Sequence, residues 1–194
     1  RRLSLATGHA VLAPAYRLAP EHVFPTALHD AQDTADWLAA QTLALGLDGA
    51  RVVVAGDSAG ATLATLLTID ATARTGPAPR AQLLFYPVAD ASVGYGSYAA
   101  YAEGYLLESA TMDWFYQHYL SAQAQKSDWR VSPLLAVPST TLPAAYISVA
   151  EYDPFSDSTA DFSPYLKRMQ SRGVQVVFIA GLAVAGARII AQAR

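Results

Sequence analysis

The stretch RVVVAGDSAGATLATLL, residues 51–67, sets one serine between two glycines where an apolar run gives way to a helical pattern. Gly56-x-Ser58-x-Gly60 is the spacing of a nucleophile elbow, a sharp turn from a buried strand into a helix. A serine held there attacks an electrophilic carbon such as an acyl carbonyl. The turn is so tight that side chains two residues either side of the serine would collide, and glycines at 56 and 60 are expected to remove that collision. The hydroxyl then stands at a helix N-terminus, where the helix dipole and the N–H of Ala59 stabilise an oxyanion. The plainer reading is a serine that only caps a helix; the strand before it and the helix after it favour the elbow. No lysine follows Gly60, which argues against a phosphate loop, and the glycine spacing is not that of a dinucleotide fold.

A serine hydroxyl is inert near neutral pH until a base takes its proton, and that base needs an acid to orient it. In a strand–turn–helix architecture the order is Ser, then Asp or Glu, then His. Asp153 closes the run AAYISVAEYD (144–153) and is the preferred acid, because Pro154 stops the strand there. Asp90, after AQLLFYPV (81–88), is the alternative. Asp153 also reads as a turn aspartate, Glu151 lies beside it, and Asp157 suits the cap of a following helix. The histidines are His9, His22, His29 and His118, and none follows Asp153. Each reads as an ordinary structural histidine, and no two share a metal-site spacing with a carboxylate, so no metal is expected.

The elements that must position these residues alternate. HAVLAPAY (9–16) reads as a buried strand, YRLAPEHVFP (16–25) as a loop, and 26–45 as a helix ended by Gly46. RVVVAG (51–56) is a strand whose continuous apolarity suits a sheet covered on both faces. A helix follows from Ser58 to about Ala73, broken by GPAP (76–79). Strands follow at 81–88, 144–153 and 174–181, with a helix from Asp157 to Met169 before the last. This order implies a mostly parallel sheet with helices on both faces, an α/β class. Residues 91–130 break the alternation with a tyrosine- and tryptophan-rich excursion, in which Ser109 is expected to cap a helix to about Leu120. It reads equally as an aromatic layer packed on the sheet or as a pocket wall for an apolar ligand.

Bulk properties narrow the partners. The 194 residues are 53% hydrophobic and 15% charged, enough for one domain with a sizeable core. Net charge is −3 with no basic run, so nucleic acid and anionic membranes are not expected partners. No apolar run reaches the roughly 20 residues of a membrane span. There is no cysteine, which removes disulfides and thiolate zinc sites and leaves the redox compartment open. The compartment is left open, with the cytoplasm favoured.

Several stretches together resemble the hormone-sensitive-lipase branch of the α/β-hydrolase esterases, also called bacterial family IV. They are YRLAPEH (16–22), GDSAG (56–60), YPVAD (86–90), EGYLL (103–107), RVSPLLA (130–136) and EYDPFSD (151–157). The resemblance implies an α/β-hydrolase fold and a cofactor-free carboxylesterase for short- to medium-chain acyl esters. It makes Ser58 the nucleophile, Asp153 the acid and the Ala59 N–H an oxyanion donor, and it makes a homodimer plausible. Ala61 stands where the family usually has a further glycine, with little expected consequence.

Two departures matter more. The family's His-Gly-Gly-Gly loop upstream of YRLAPEH is not present, and TGHA (7–10) does not replace it. No histidine follows the last strand; counting from Gly181 puts Val184 at that place. One reading is that the chain is part of a longer protein and lacks the N-terminal part and the histidine loop. The missing early strand between HAVLAPAY and RVVVAG, without which the sheet has unpaired backbone groups, favours it. A second reading is a ligand-binding relative without the base, like the plant gibberellin receptors, although those keep the glycine-rich loop. A third is a degenerate structural domain.

Overall fold

The computed structural model describes residues 4–5, 8–73, 78–94, 96–138, 141–150 and 152–154, and the backbone of 177–181. Among them four strands form one sheet in the order β1 (Val53–Asp57), β2 (Ala81–Phe85), β3 (Ala144–Val149) and β4 (Val177–Gly181). Every neighbouring pair is parallel, and Asp57, Phe85 and Ser148 lie in register at the carboxyl edge.

Helix α1 (Thr26–Gln41) precedes β1, and α2 (Ala59–Ala71) follows it directly. α2 is apolar around most of its circumference because it is packed on two sides. Ala61 and Ala64 meet Leu84, Val54 and Ile147 of the sheet. Leu63 and Leu66 meet Ala27, Leu28 and Ala31 of α1. The small alanines let the helix approach the strands closely. α1 stops at Gln41, four residues short of the expected end, and the chain turns through Gly46, which has φ +67°.

The excursion folds into α3 (Gly96–Ala100), α4 (Ser109–Tyr119) and short 3-10 turns. It builds its own core, in which Met112, Tyr116, Leu120 and Val131 close around Phe24 from the loop before α1. Glu108, not Ser109, occupies the cap position of α4, and no side chain caps it. The loop before α1 is fastened by Arg17, whose Nη2 and Nε donate to the Asp30 carboxylate at 2.6 and 3.0 Å while its backbone N–H donates at 2.8 Å.

Three expected strands differ. HAVLAPAY forms no strand, and Val11 and Leu12 are 46% and 47% exposed. Apolarity alone does not make a strand: a ladder partner is needed, and β1 pairs only with β2 among the described residues. The strand expected over 81–88 stops at Phe85 because Tyr86 takes φ +39°, outside the extended region. The strand expected over 144–153 stops at Val149. On β1, Val53, Ala55 and Asp57 are exposed while Val54 and Gly56 are half-buried, so the described helices cover one of its faces. The helix expected at 157–169, with Asp157 and Glu151, lies outside the described residues, as do Tyr95 and Val184.

Candidate active site

The carboxyl edge of the sheet gathers the candidate residues, as open parallel sheets do. Ser58 follows the last residue of β1 and precedes the first of α2, with φ +50° and ψ −123°. A non-glycine residue in that region is strained and is held only where its surroundings demand it. The surroundings are explicit. The Ser58 N–H donates to Phe85 O at 2.9 Å, and the Ser58 carbonyl accepts from Ala61 and Thr62 N–H at 3.0 and 3.1 Å. Both sides of the turn are therefore fixed, one to β2 and one to the helix.

The two flanking glycines are not equivalent. A Cβ on Gly56 would lie 2.2 Å from Gly60 O and 2.6 Å from Ala61 N, an impossible overlap with backbone. A Cβ on Gly60 would meet only Asp57 Oδ1, at 4.0 Å. The expectation that both glycines relieve a collision thus holds for Gly56 and is corrected for Gly60. Steric crowding falls on the strand side, where the helix backbone folds back over the turn.

Ser58 is half-buried, and its hydroxyl makes no capping hydrogen bond to its helix. A serine that served only as a cap would accept from an N–H of the first turn. The N–H of Ala59 is the first of α2 and has no intrahelical acceptor, at the positive end of the helix dipole. The hydroxyl, the orphan donor and the dipole therefore meet at one exposed corner.

Asp153 lies beyond the end of β3, on the turn formed by Tyr152 and Pro154, and not within the strand as expected. Its side chain is half-buried. The carboxyl edge is tied across the sheet by Ser58 N to Phe85 O and by Tyr86 N to Ser148 O, at 2.9 and 2.6 Å. Adjacent strands are about 4.8 Å apart, so β1 and β3 stand about 10 Å apart with β2 between them. Ser58 directly follows the end of β1, and Asp153 lies past the end of β3. The alternative acid, Asp90, is buried, and its Oδ1 accepts from Ser92 N and Oγ at 2.8 and 2.6 Å. That closes a local turn after β2 through one oxygen of the carboxylate.

Among the described residues no histidine side chain is hydrogen-bonded to Ser58. His9, His22 and His29 are exposed, and His118 is hydrogen-bonded through Nδ1 to Trp114 O at 2.8 Å on α4. Among the described residues no three acidic, histidine or cysteine side chains gather as a metal site, and no helix is long and apolar enough to cross a membrane.

The aromatic excursion divides between its two expected roles. Burial pushes the hydroxyls of Tyr98 and Tyr119 up to about 12 and raises that of Tyr116 further, and the three rings lie in or against the cluster around Phe24. They belong to the core. Tyr101, Tyr105 and Tyr152 form a separate cluster at the rim, with Tyr105 stacked on Tyr152 at 5.3 Å and 7°. Two residues here carry no local sequence signal of their role. Tyr86, between the ends of β1 and β3, shows its strained backbone only in three dimensions. Ser97 is buried, and its Oγ donates to Pro154 O at 2.8 Å across 57 residues of chain.

Comparison with known proteins shows the family. Residues 1–184 match the model of a family described by its alpha/beta hydrolase fold. An ethyl acetate hydrolase of Pseudomonas putida is 42% identical over 181 residues, covering 93% of this chain and 57% of its own length. The carboxylic ester hydrolase LipN of Mycobacterium tuberculosis is 36% identical, covering 86% of this chain and 45% of its own. The crystal structure of EstE1, a thermostable carboxylesterase from a metagenomic library, superposes with a TM-score of 0.82 at 36% identity, covering 96% of this chain and 63% of that one. The chain spans about half the length of the relatives it matches. It belongs to the alpha/beta hydrolase fold family, on the hormone-sensitive-lipase-like branch whose motifs it carries.

Proposed function

We propose that this chain carries the nucleophile and the acid of a serine carboxylesterase for short- to medium-chain acyl esters, within one α/β-hydrolase unit over residues 1–194. The observation that carries the reading is Ser58, held at φ +50° with its hydroxyl uncommitted to its own helix. In the proposed reaction Ser58 Oγ attacks the ester carbonyl while a base takes its proton. The Ala59 N–H donates to the oxyanion. The alcohol leaves with the proton returned by the base, and water activated by the same base hydrolyses the acyl-enzyme. Asp153 orients the base. No cofactor enters these steps. The relative from Pseudomonas putida is named for ethyl acetate, which supports a short acyl group.

The base and the further oxyanion donors are not supplied by the motifs of this chain, since no histidine follows Asp153. The esterase names of the relatives favour turnover over the alternative, a ligand-binding protein of the same fold without it. The full-length protein distinguishes the two with a chromogenic short-chain ester. Turnover that vanishes in Ser58→Ala supports the esterase. Saturable binding of the ester without turnover supports the second reading, and turnover retained in Ser58→Ala removes Ser58 from the chemistry. By resemblance the proposed oligomer is a homodimer joined at the β4 end of the sheet, which sedimentation would report as twice the chain mass.

A further inference from the structure

An acid that orients a catalytic base must itself be held in place, and a displacement of about 1 Å in such a constellation costs up to roughly 100-fold in rate. Asp153 sits past the end of β3, where the ladder to β2 and β4 no longer fixes the backbone. The residues on both sides of it are instead held by the aromatic excursion. On the C-terminal side, Pro154 is fully buried and has no N–H, so its carbonyl is the group of its main chain that can be fastened. Ser97, 5% exposed on α3, donates its hydroxyl to that carbonyl at 2.8 Å. On the N-terminal side, the Tyr152 ring stacks on Tyr105 at 5.3 Å and meets the edge of Tyr101 at 5.6 Å. Tyr101 and Tyr105 also touch each other, at 5.3 Å, so the three rings form one closed group.

We infer that Ser97 is a positioning residue for Asp153, and that the Tyr101–Tyr105–Tyr152 group is the second arm of the same clasp. The segment between β2 and β3 thereby acts as the buttress of the acid loop. The inference rests on the esterase reading, in which Asp153 is the acid.

The test is a double-mutant cycle in the full-length protein, read as kcat and KM for a short-chain ester. Ser97→Ala is expected to lower kcat about 10-fold with KM little changed. In an Asp153→Asn background the same replacement is expected to cost nothing further, because the group it positions is already disabled. A merely structural serine would cost the same factor in both backgrounds, and that result, or an unchanged kcat in Ser97→Ala, overturns the inference. If Ser97→Ala does not fold, Tyr152→Leu serves the same cycle, since Tyr152 is half exposed and its loss spares the core. An Asp153→Asn variant of full activity would instead remove Asp153 as the acid, so failure of the esterase reading is distinguished from failure of the clasp.

Discussion

The carbonyl oxygen of Gly60 lies where a Cβ on Gly56 would have to be, 2.2 Å from it. The elbow is therefore closed by backbone against backbone, and no rotamer change can relieve an added methyl. Gly56→Ala is expected to destabilise the protein by about 3 kcal/mol or more. Gly60→Ala meets only Asp57 Oδ1, at an ordinary contact distance of 4.0 Å, and sits in the first turn of α2, so it should be neutral or stabilising by up to about 1 kcal/mol. Urea unfolding of the two variants checks the asymmetry, and equal effects would contradict it.

Ser132 joins two segments 41 residues apart. Its Oγ accepts from Ala91 N at 2.8 Å and donates to Lys126 O at 2.6 Å, and the residue is completely buried. Ser132→Ala removes the partner of the buried Ala91 N–H and of the half-buried Lys126 carbonyl. The expected cost is about 2–3 kcal/mol, seen as a lowered midpoint in chemical unfolding.

Gln82 is the opposite case. It is 3% exposed on β2, and its Oε1 has no hydrogen-bond partner among the described residues. Replacing a buried unsatisfied acceptor by an apolar group of similar length removes a desolvation cost. Gln82→Met is expected to raise stability by about 1 kcal/mol, and a thermal melt shifted downward would count against this account.

The Arg17–Asp30 pair gives a pH signature. Hydrogen bonds from the Arg17 guanidinium, then from its backbone N–H, hold the Asp30 carboxyl down at about 2, from an ordinary 3.8. A depressed folded-state pKa means that the contribution is complete above the ordinary value and is lost as pH falls from 3.8 through about 2. The stability difference between the wild type and Asp30→Asn should be constant at neutral pH and shrink over that acid window. It should also weaken with salt, because the arginine side chain is half exposed.

What the sequence disclosed follows from how local each feature is. The elbow was legible because strand, turn and helix are adjacent in the chain and Gly56 has one steric reason to be glycine. The parallel sheet was legible from the alternation of apolar runs and helices. Strand ends were not, because apolarity continues past the ladder: Tyr86 leaves the extended region and Val149 ends β3 without any change of residue type. HAVLAPAY reads as a strand from its own residues, whereas a strand is a property of two segments. Ser97 and Ser132 were invisible as anchors for the same reason, since their partners lie 57, 41 and 6 residues away. The unequal roles of Gly56 and Gly60 needed the path of the helix backbone over the turn.

The most direct measurement is covalent labelling of the full-length protein with an organophosphate, followed by peptide mass mapping. One adduct on the peptide that carries Ser58, absent from Ser58→Ala, is the predicted result. Ester turnover without any adduct at Ser58, or an adduct on another serine that survives Ser58→Ala, would contradict it.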